Sequence, residues 1–101
     1  MIVEYIRYRL KQSTGEALVA AYAAAGEHLK ASPDCQGFEL TACEEEQGVY
    51  ILRILWTSTQ AHKEGFRRGP HFPPFFALIR PFLGEIEEMR HYAMTGIAWT
   101  R

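Results

Sequence analysis

Two alternating segments a few residues apart restrict this sequence more than any other feature. "CQGFELTACEE" (Cys35 to Glu45) and "VYILRILWT" (Val49 to Thr57) both alternate, and the second is rich in β-branched and aromatic residues. Successive side chains on a strand point to opposite faces, so this alternation marks half-buried strands. Between them lies "EEQG", Glu45 to Gly48, a polar turn ending in glycine. Strands joined in this way read as an antiparallel hairpin. The acidic run Glu44 to Glu46 then belongs to a solvated turn rather than a metal site.

The flanking pattern completes a fold. "IVEYIRYRL", Ile2 to Leu10, alternates as a strand. Ser13 and Glu16 have capping-box spacing, and Leu18, Ala21, Tyr22, Ala25 and Leu29 follow at helical intervals. Ser32-Pro33 ends that helix, because the residue before a proline is pushed out of the α region. After the hairpin, Ser58 is the expected N-cap of a helix carrying Ala61, His62, Gly65 and Phe66, broken at Gly69-Pro70. In "HFPPFFALIRPF", Pro73 and Pro74 suit a helix's first turn, and Phe72, Phe75, Phe76 and Ile79 share one side. Pro81 limits that helix. A last strand runs from about Ile86 to Thr95, and "GIAWTR" is a loose tail. The order β-α-β-β-α-β, its second α in two pieces, predicts an α+β ferredoxin-like domain over residues 1–95 with a tail at 96–101. Its usual form is a four-stranded antiparallel sheet with helices on one face.

Length and composition narrow the setting. A chain of 101 residues, 48% hydrophobic and 23% charged, suits one domain with one core. The net charge is −1 with no basic block, which argues against nucleic acid as a partner. No apolar run approaches the roughly 20 residues that span a bilayer, and the N-terminus lacks signal-peptide features. Cys35 and Cys43 on one strand would sit roughly 26 Å apart, beyond disulfide reach. Two free thiols and a cytoplasmic location are therefore expected. Metal-ligand spacing such as CxxC or HxxxH is absent, so no metal is expected.

Helices cover only one face of such a sheet. Counting by twos, Ile6, Tyr8, Leu52, Ile54, Trp56, Ile86, Arg90 and Tyr92 fall on the more apolar side, which is assigned to the helices. Val3, Tyr5, Arg7, Ile51, Arg53, Leu55, Met89 and His91 fall on the other. That second set is too apolar to be left in water, so a homodimer with sheet facing sheet is expected through Tyr5, Arg7, Arg53, Met89 and His91.

The stretch "WTSTQAHKEGFRRGPHFPPFF" carries a resemblance. Trp56-x-Ser58, a histidine four residues on, and "HF..FF" after a further helix resemble the antibiotic biosynthesis monooxygenase domain family. That family belongs to the dimeric α/β-barrel superfamily, and the resemblance extends from Ile2 to about Thr95. It implies a pocket between helices and sheet for a small apolar or aromatic molecule, and oxygenase chemistry without a cofactor. His62 or His71 would act as base, the first matching the Trp-Ser-His spacing. Tyr8 or Arg90 would hold an oxyanion, with Glu4, Glu88 or an anionic substrate as Arg90's counter-charge. Trp56, Phe66, Phe72, Phe75, Phe76 and Tyr92 would line the pocket. Two other readings stay open: a non-catalytic dimeric binding or accessory module, and a haem-binding relative. The haem-degrading branch has a first-strand Asn that is missing here, with Gly65 and Phe75 near the positions of its pocket Trp and ligand His.

Overall fold

The computed structural model describes residues 1–101. The strands are β1 (Ile2–Arg9), β2 (Cys35–Ala42), β3 (Val49–Trp56) and β4 (Ile86–Ala93). Helix α1 (Gly15–Ala31) links β1 to β2. Between β3 and β4 come a π-helical turn (Ala61–Phe66), helix α2 (Phe72–Ile79) and a 3₁₀ turn (Arg80–Glu85). All strand pairs are antiparallel, in the order β2-β3-β1-β4, which is the ferredoxin-like arrangement. No helix is long and apolar enough to cross a membrane.

Local chemistry accounts for the boundaries. Thr14, not Ser13, caps α1, its Oγ1 accepting from the Ala17 N–H at 3.1 Å. Ser13 is held elsewhere: Glu85 Oε1 accepts the backbone N–H groups of Lys11, Gln12 and Ser13 at 2.7, 2.8 and 3.2 Å. This triple acceptance ties the β1–α1 connection to the start of β4. Ser32 ends α1 as expected, its N–H reaching the Leu29 carbonyl. The hairpin turn closes at Gly48, whose φ of +85° suits a residue without Cβ. Cys43 lies just past the end of β2, and both cysteines are free.

The core lies between the helices and one face of the sheet. Tyr8, Leu52 and Trp56 reach up from the strands to Leu18, Ala25 and Leu29 of α1, all fully buried. Removing one such aliphatic side chain from water contributes roughly 1.5–3 kcal/mol.

One feature of β4 overturns the face assignment. The register pairs Tyr8 with Ile86 but Arg7 with Glu88, leaving one extra residue on β4. This β-bulge reverses the alternation beyond it. Met89 therefore pairs with Ile6, and His91 with Glu4, on the helix side. Arg90 pairs with Tyr5, and Tyr92 with Val3, on the open side. The two expected interface residues Met89 and His91 thus exchange places with the two expected pocket residues Arg90 and Tyr92. The bulged Glu87 reaches Arg7 Nε at 2.7 Å and Arg9 Nε at 2.8 Å.

Candidate active site

A cavity of about 450 Å³ separates the sheet from the helices over β1 and β3. Its helical wall is a nest of phenylalanines. Phe66 meets Phe75 and Phe72 edge to face, with centroids 5.2 and 5.7 Å apart, and Phe76 lies 5.3 Å from Phe72. Ile6, Ile54 and Met89 form part of the floor. The expected wall residues Trp56, Phe66, Phe72, Phe75 and Phe76 all line this space, as does Tyr8. The same rings are also core, because the cavity is a gap within it.

The polar groups fall at two places. Glu4 and Tyr8 lie on the same face of β1, about 13 Å apart at the usual strand rise. At one place the hydroxyls of Tyr8 and Tyr22 hydrogen-bond each other at 2.5 Å. Burial pushes the Tyr8 phenol up to about 12, and Tyr22 rises as well, so both hydroxyls are neutral donors at ordinary pH.

At the other place Glu4 is buried, with 3% of its surface exposed. Its Oε1 accepts the indole N–H of Trp56 at 3.0 Å. His62 Nε2 approaches the same oxygen at 3.4 Å. The other ring nitrogen of His62, Nδ1, lies 2.9 Å from Nε2 of His91. The His62 ring stacks on Trp56, with centroids 4.7 Å apart and planes 13° from parallel. Burial pulls the His62 imidazole down to about 3, helped by the charges of Arg67, His91 and Lys63. It is therefore neutral. The contact with Glu4 is a close approach without hydrogen-bond alignment, and the hydrogen bond that His62 makes is the one with His91, in which either ring can donate. Burial raises Glu4 above the usual carboxylate range, while the Trp56 hydrogen bond and Arg67 oppose that rise.

The π-helical turn brings His62 inward. Ser58 Oγ accepts the Ala61 N–H at 2.9 Å, and the Arg67 N–H reaches back to the His62 carbonyl at 3.1 Å, a five-residue step. The wider turn seats His62 and Phe66 together, both nearly fully buried. Gly65 lets it sit close to the α1–β2 connection, since a Cβ there would lie 2.3 Å from Asp34 Oδ2.

Sequence reasoning placed His62 here but missed three residues. Glu4 shares the helix-face alternation of Ile6 and Tyr8, and a lone carboxylate among those positions was the available signal. Tyr22 looked only like a core position of α1. Arg67 lines the cavity from the exposed end of the π-helical turn. His71, the other expected base, is half-buried at the start of α2 and does not line the cavity. Arg90 lies on the exposed sheet face beside Glu88 at 3.1 Å, one of the counter-charges expected for it. Tyr92 packs there on Tyr5.

Glu4, His62 and His91 bring one oxygen and two nitrogens within 4.8 Å of one another, drawn from β1, the π-helical turn and β4. Sequence spacing could not reveal such a set. Its composition suits a divalent cation. The geometry shown is a row, however, because His62 turns opposite ring nitrogens to its two neighbours, Nδ1 hydrogen-bonded to His91 and Nε2 at 3.4 Å from Glu4. A cation on either nitrogen would have one neighbour behind the ring.

The comparisons with known proteins agree with this architecture. A protein from Bordetella bronchiseptica assigned to the antibiotic biosynthesis monooxygenases superposes with a TM-score of 0.80 at 20% identity, covering 93% of this chain and 96% of that one. SnoaB, a cofactor-independent oxygenase from Streptomyces nogalater, superposes with a TM-score of 0.72 at 14% identity, covering 97% and 94%. At such identities the likeness speaks for the fold. YczJ, an uncharacterized protein of Bacillus subtilis, is 30% identical over 53 residues, 52% of this chain and 56% of its own length. The match thus spans little more than half of that relative. The sequence model for antibiotic biosynthesis monooxygenase matches residues 1–78, and the chain belongs to that family.

Proposed function

We propose that this protein is a cofactor-independent monooxygenase for a small aromatic, quinol-like substrate. The observation that carries this reading is the cavity itself. Its walls are phenylalanine and aliphatic, and a buried carboxylate and a neutral imidazole stand at one place in them. A flat apolar substrate would lose little on leaving water and would stack on the phenylalanine rings. Loss of its hydroxyl proton to the Glu4–His62 region would leave an electron-rich phenolate in a dry site. Such an anion can reduce O₂. A ring carbon that bears hydrogen forms the new C–O bond, and loss of that hydrogen with cleavage of the O–O bond gives a carbonyl. One quinol and one O₂ thereby yield one hydroxyquinone and one water. The Tyr8 and Tyr22 hydroxyls are placed to hold a second polar group of the substrate.

The reading extends to assembly and setting. The open sheet face suits a homodimer, and two free thiols suit a reducing cytoplasm. The direct test follows O₂ uptake with a panel of hydroquinones and phenols, corrected for autoxidation. Enzyme-dependent uptake of one O₂ per substrate, with the hydroxylated quinone as product, is expected. No uptake across the panel by protein that binds these compounds would leave a binding module instead.

A further inference from the structure

We propose that Glu4 Oε2 is the atom that takes the proton from the substrate hydroxyl, and that His62 holds Glu4 in place for it. This deepens the oxygenase reading above and rests on it. Histidine is the default base for such chemistry, and His62 borders the cavity. Its two neighbours argue otherwise. Nε2 is turned to Glu4 and Nδ1 to His91, so neither nitrogen is left for a substrate.

Glu4 is arranged the other way. Its hydrogen-bond donor, the Trp56 indole, and the nearest His62 nitrogen, 3.4 Å away, both lie at Oε1. No hydrogen bond reaches Oε2. No buried side-chain oxygen or nitrogen in the protein lacks a partner. Oε2 therefore keeps some accessible surface, and the space that Glu4 borders is the aromatic cavity. His91 does not line that cavity. Its hydrogen bond to Nδ1 holds the His62 ring from behind, with Nε2 on the Glu4 side. The row Glu4–His62–His91 is then an orienting device with a carboxylate at its working end.

The proton balance closes within the reaction. The substrate O–H breaks, its proton moves to Oε2, and its electron pair remains on the substrate oxygen as phenolate. After the carbon–oxygen bond forms, the O–O bond breaks as the oxygenated ring carbon loses its proton to the departing oxygen and its C–H pair becomes the carbonyl; Glu4 returns its proton to the same oxygen, which leaves as water. Glu4 ends ionised, ready for another cycle. The charged and titratable groups that bear on it are Arg67 and His62 from the π-helical turn and, more distantly, Tyr8 of β1, Tyr22 of α1 and Cys35 of β2.

The experiment uses 4-nitrophenol, whose phenolate is yellow and whose neutral form is not. In mildly alkaline buffer the free dye is largely ionised. Wild-type protein should bind it in the neutral form, its O–H hydrogen-bonded to Oε2, because an ionised carboxylate facing the hydroxyl disfavours a standing second negative charge; in the reaction the proton crosses to Oε2 as electrons leave the ring for O₂. Glu4→Gln should bind the yellow form, and Glu4→Asp, with its carboxylate drawn back, should fall between. His62→Gln keeps the carboxylate and should leave the bound dye neutral. With a quinol that turns over, Glu4→Gln should lower kcat by about 10²–10⁴-fold. His62→Gln, as a positioning change, should cost less and should act on kcat more than on KM. A dye spectrum that is the same in wild type and Glu4→Gln, or that responds to His62→Gln instead, overturns the assignment and leaves the aromatic cavity standing. A spectrum that changes between chelator-treated and zinc-loaded protein overturns it in favour of a metal centre. Failure of the wild type to bind the dye removes both the assignment and the aromatic-pocket reading. A dye shift without O₂ uptake on any quinol keeps Glu4 in contact with the hydroxyl and removes only the oxygenase reading.

Discussion

His62 has 3% of its surface exposed, and its ring lies flat on Trp56, whose own N–H is spent on Glu4. An imidazole placed like this bears on stability as well as chemistry. In the unfolded chain it takes a proton near pH 6.5, whereas in the folded protein it resists protonation down to about 3. Between those values the unfolded state binds more protons, so stability rises with pH and is lost as pH falls below about 6.5. His91 is shifted in the same direction and adds to the loss. Glu4 is shifted upward and works against it above pH 4.5, over the narrower range of its own shift. The melting temperature of the wild type should therefore fall from about pH 6.5 towards pH 4, and the slope should be shallower in His62→Gln. Equal slopes would assign the acid sensitivity to carboxylates such as Glu85, which the Ser13 hydroxyl and three backbone N–H donors hold down at about 2. Of this group only His62 and Trp56 were visible as pocket residues in the sequence. Glu4 and His91 come from strands 87 positions apart and meet through the register, which no local spacing encodes.

Helix α2 has eight residues, with prolines at two of its first positions, and could not persist alone in water. Its rings hold it in place: Phe75 meets Phe66, Tyr22 and Phe72. Phe75→Ala should cost about 3 kcal/mol in denaturant unfolding, the low end of the range for a buried phenylalanine. The low end is expected because the ring faces an existing cavity, and atoms that border a void have fewer contacts to lose. A loss under about 1 kcal/mol would mean that the segment refills the space by moving inward. The elements themselves were legible because each announces its period: two in the strands, near four in α1 and α2. Two local features were not. The π-helical turn has helical spacing with an added residue per turn, which the positions of His62 and Phe66 alone cannot distinguish from an α-helix. The bulge in β4 leaves no mark on alternation except to reverse it. For that reason Arg90 and Tyr92 were assigned to the helix side and Met89 and His91 to the other, although both halves of the strand had been recognised.

The whole molecule has one sheet face covered and one open, and the open face is not built for water. Ile51 and Leu55 are half-buried there, and Tyr5 packs edge to face on Tyr92 at 5.9 Å. Exposed Met94, Ile97 and Trp99 continue the apolar surface along the C-terminal tail. Ion pairs frame it: Arg53 with Glu39 at 3.2 Å, and Arg7 and Arg9 with Glu46 and Glu87. An apolar centre with a charged rim is the usual anatomy of a protein interface. The proposed occupant is a second copy, because a two-fold axis would present the same surface on both sides. The bulge supports this assignment, since it moves Tyr92 onto the open face and puts His91 inside, away from any partner. Arg53 is the informative residue. Arg53→Glu would set a carboxylate against Glu39 within the subunit and, across a two-fold axis, add two like charges to one contact. Dimerisation should weaken at least about tenfold, or about 1.4 kcal/mol, with the isolated fold intact because Arg53 is exposed. Sedimentation equilibrium at micromolar concentration should find wild-type dimers and a larger monomer fraction in the variant. A wild type that is monomeric under those conditions would show that the open face serves some other purpose.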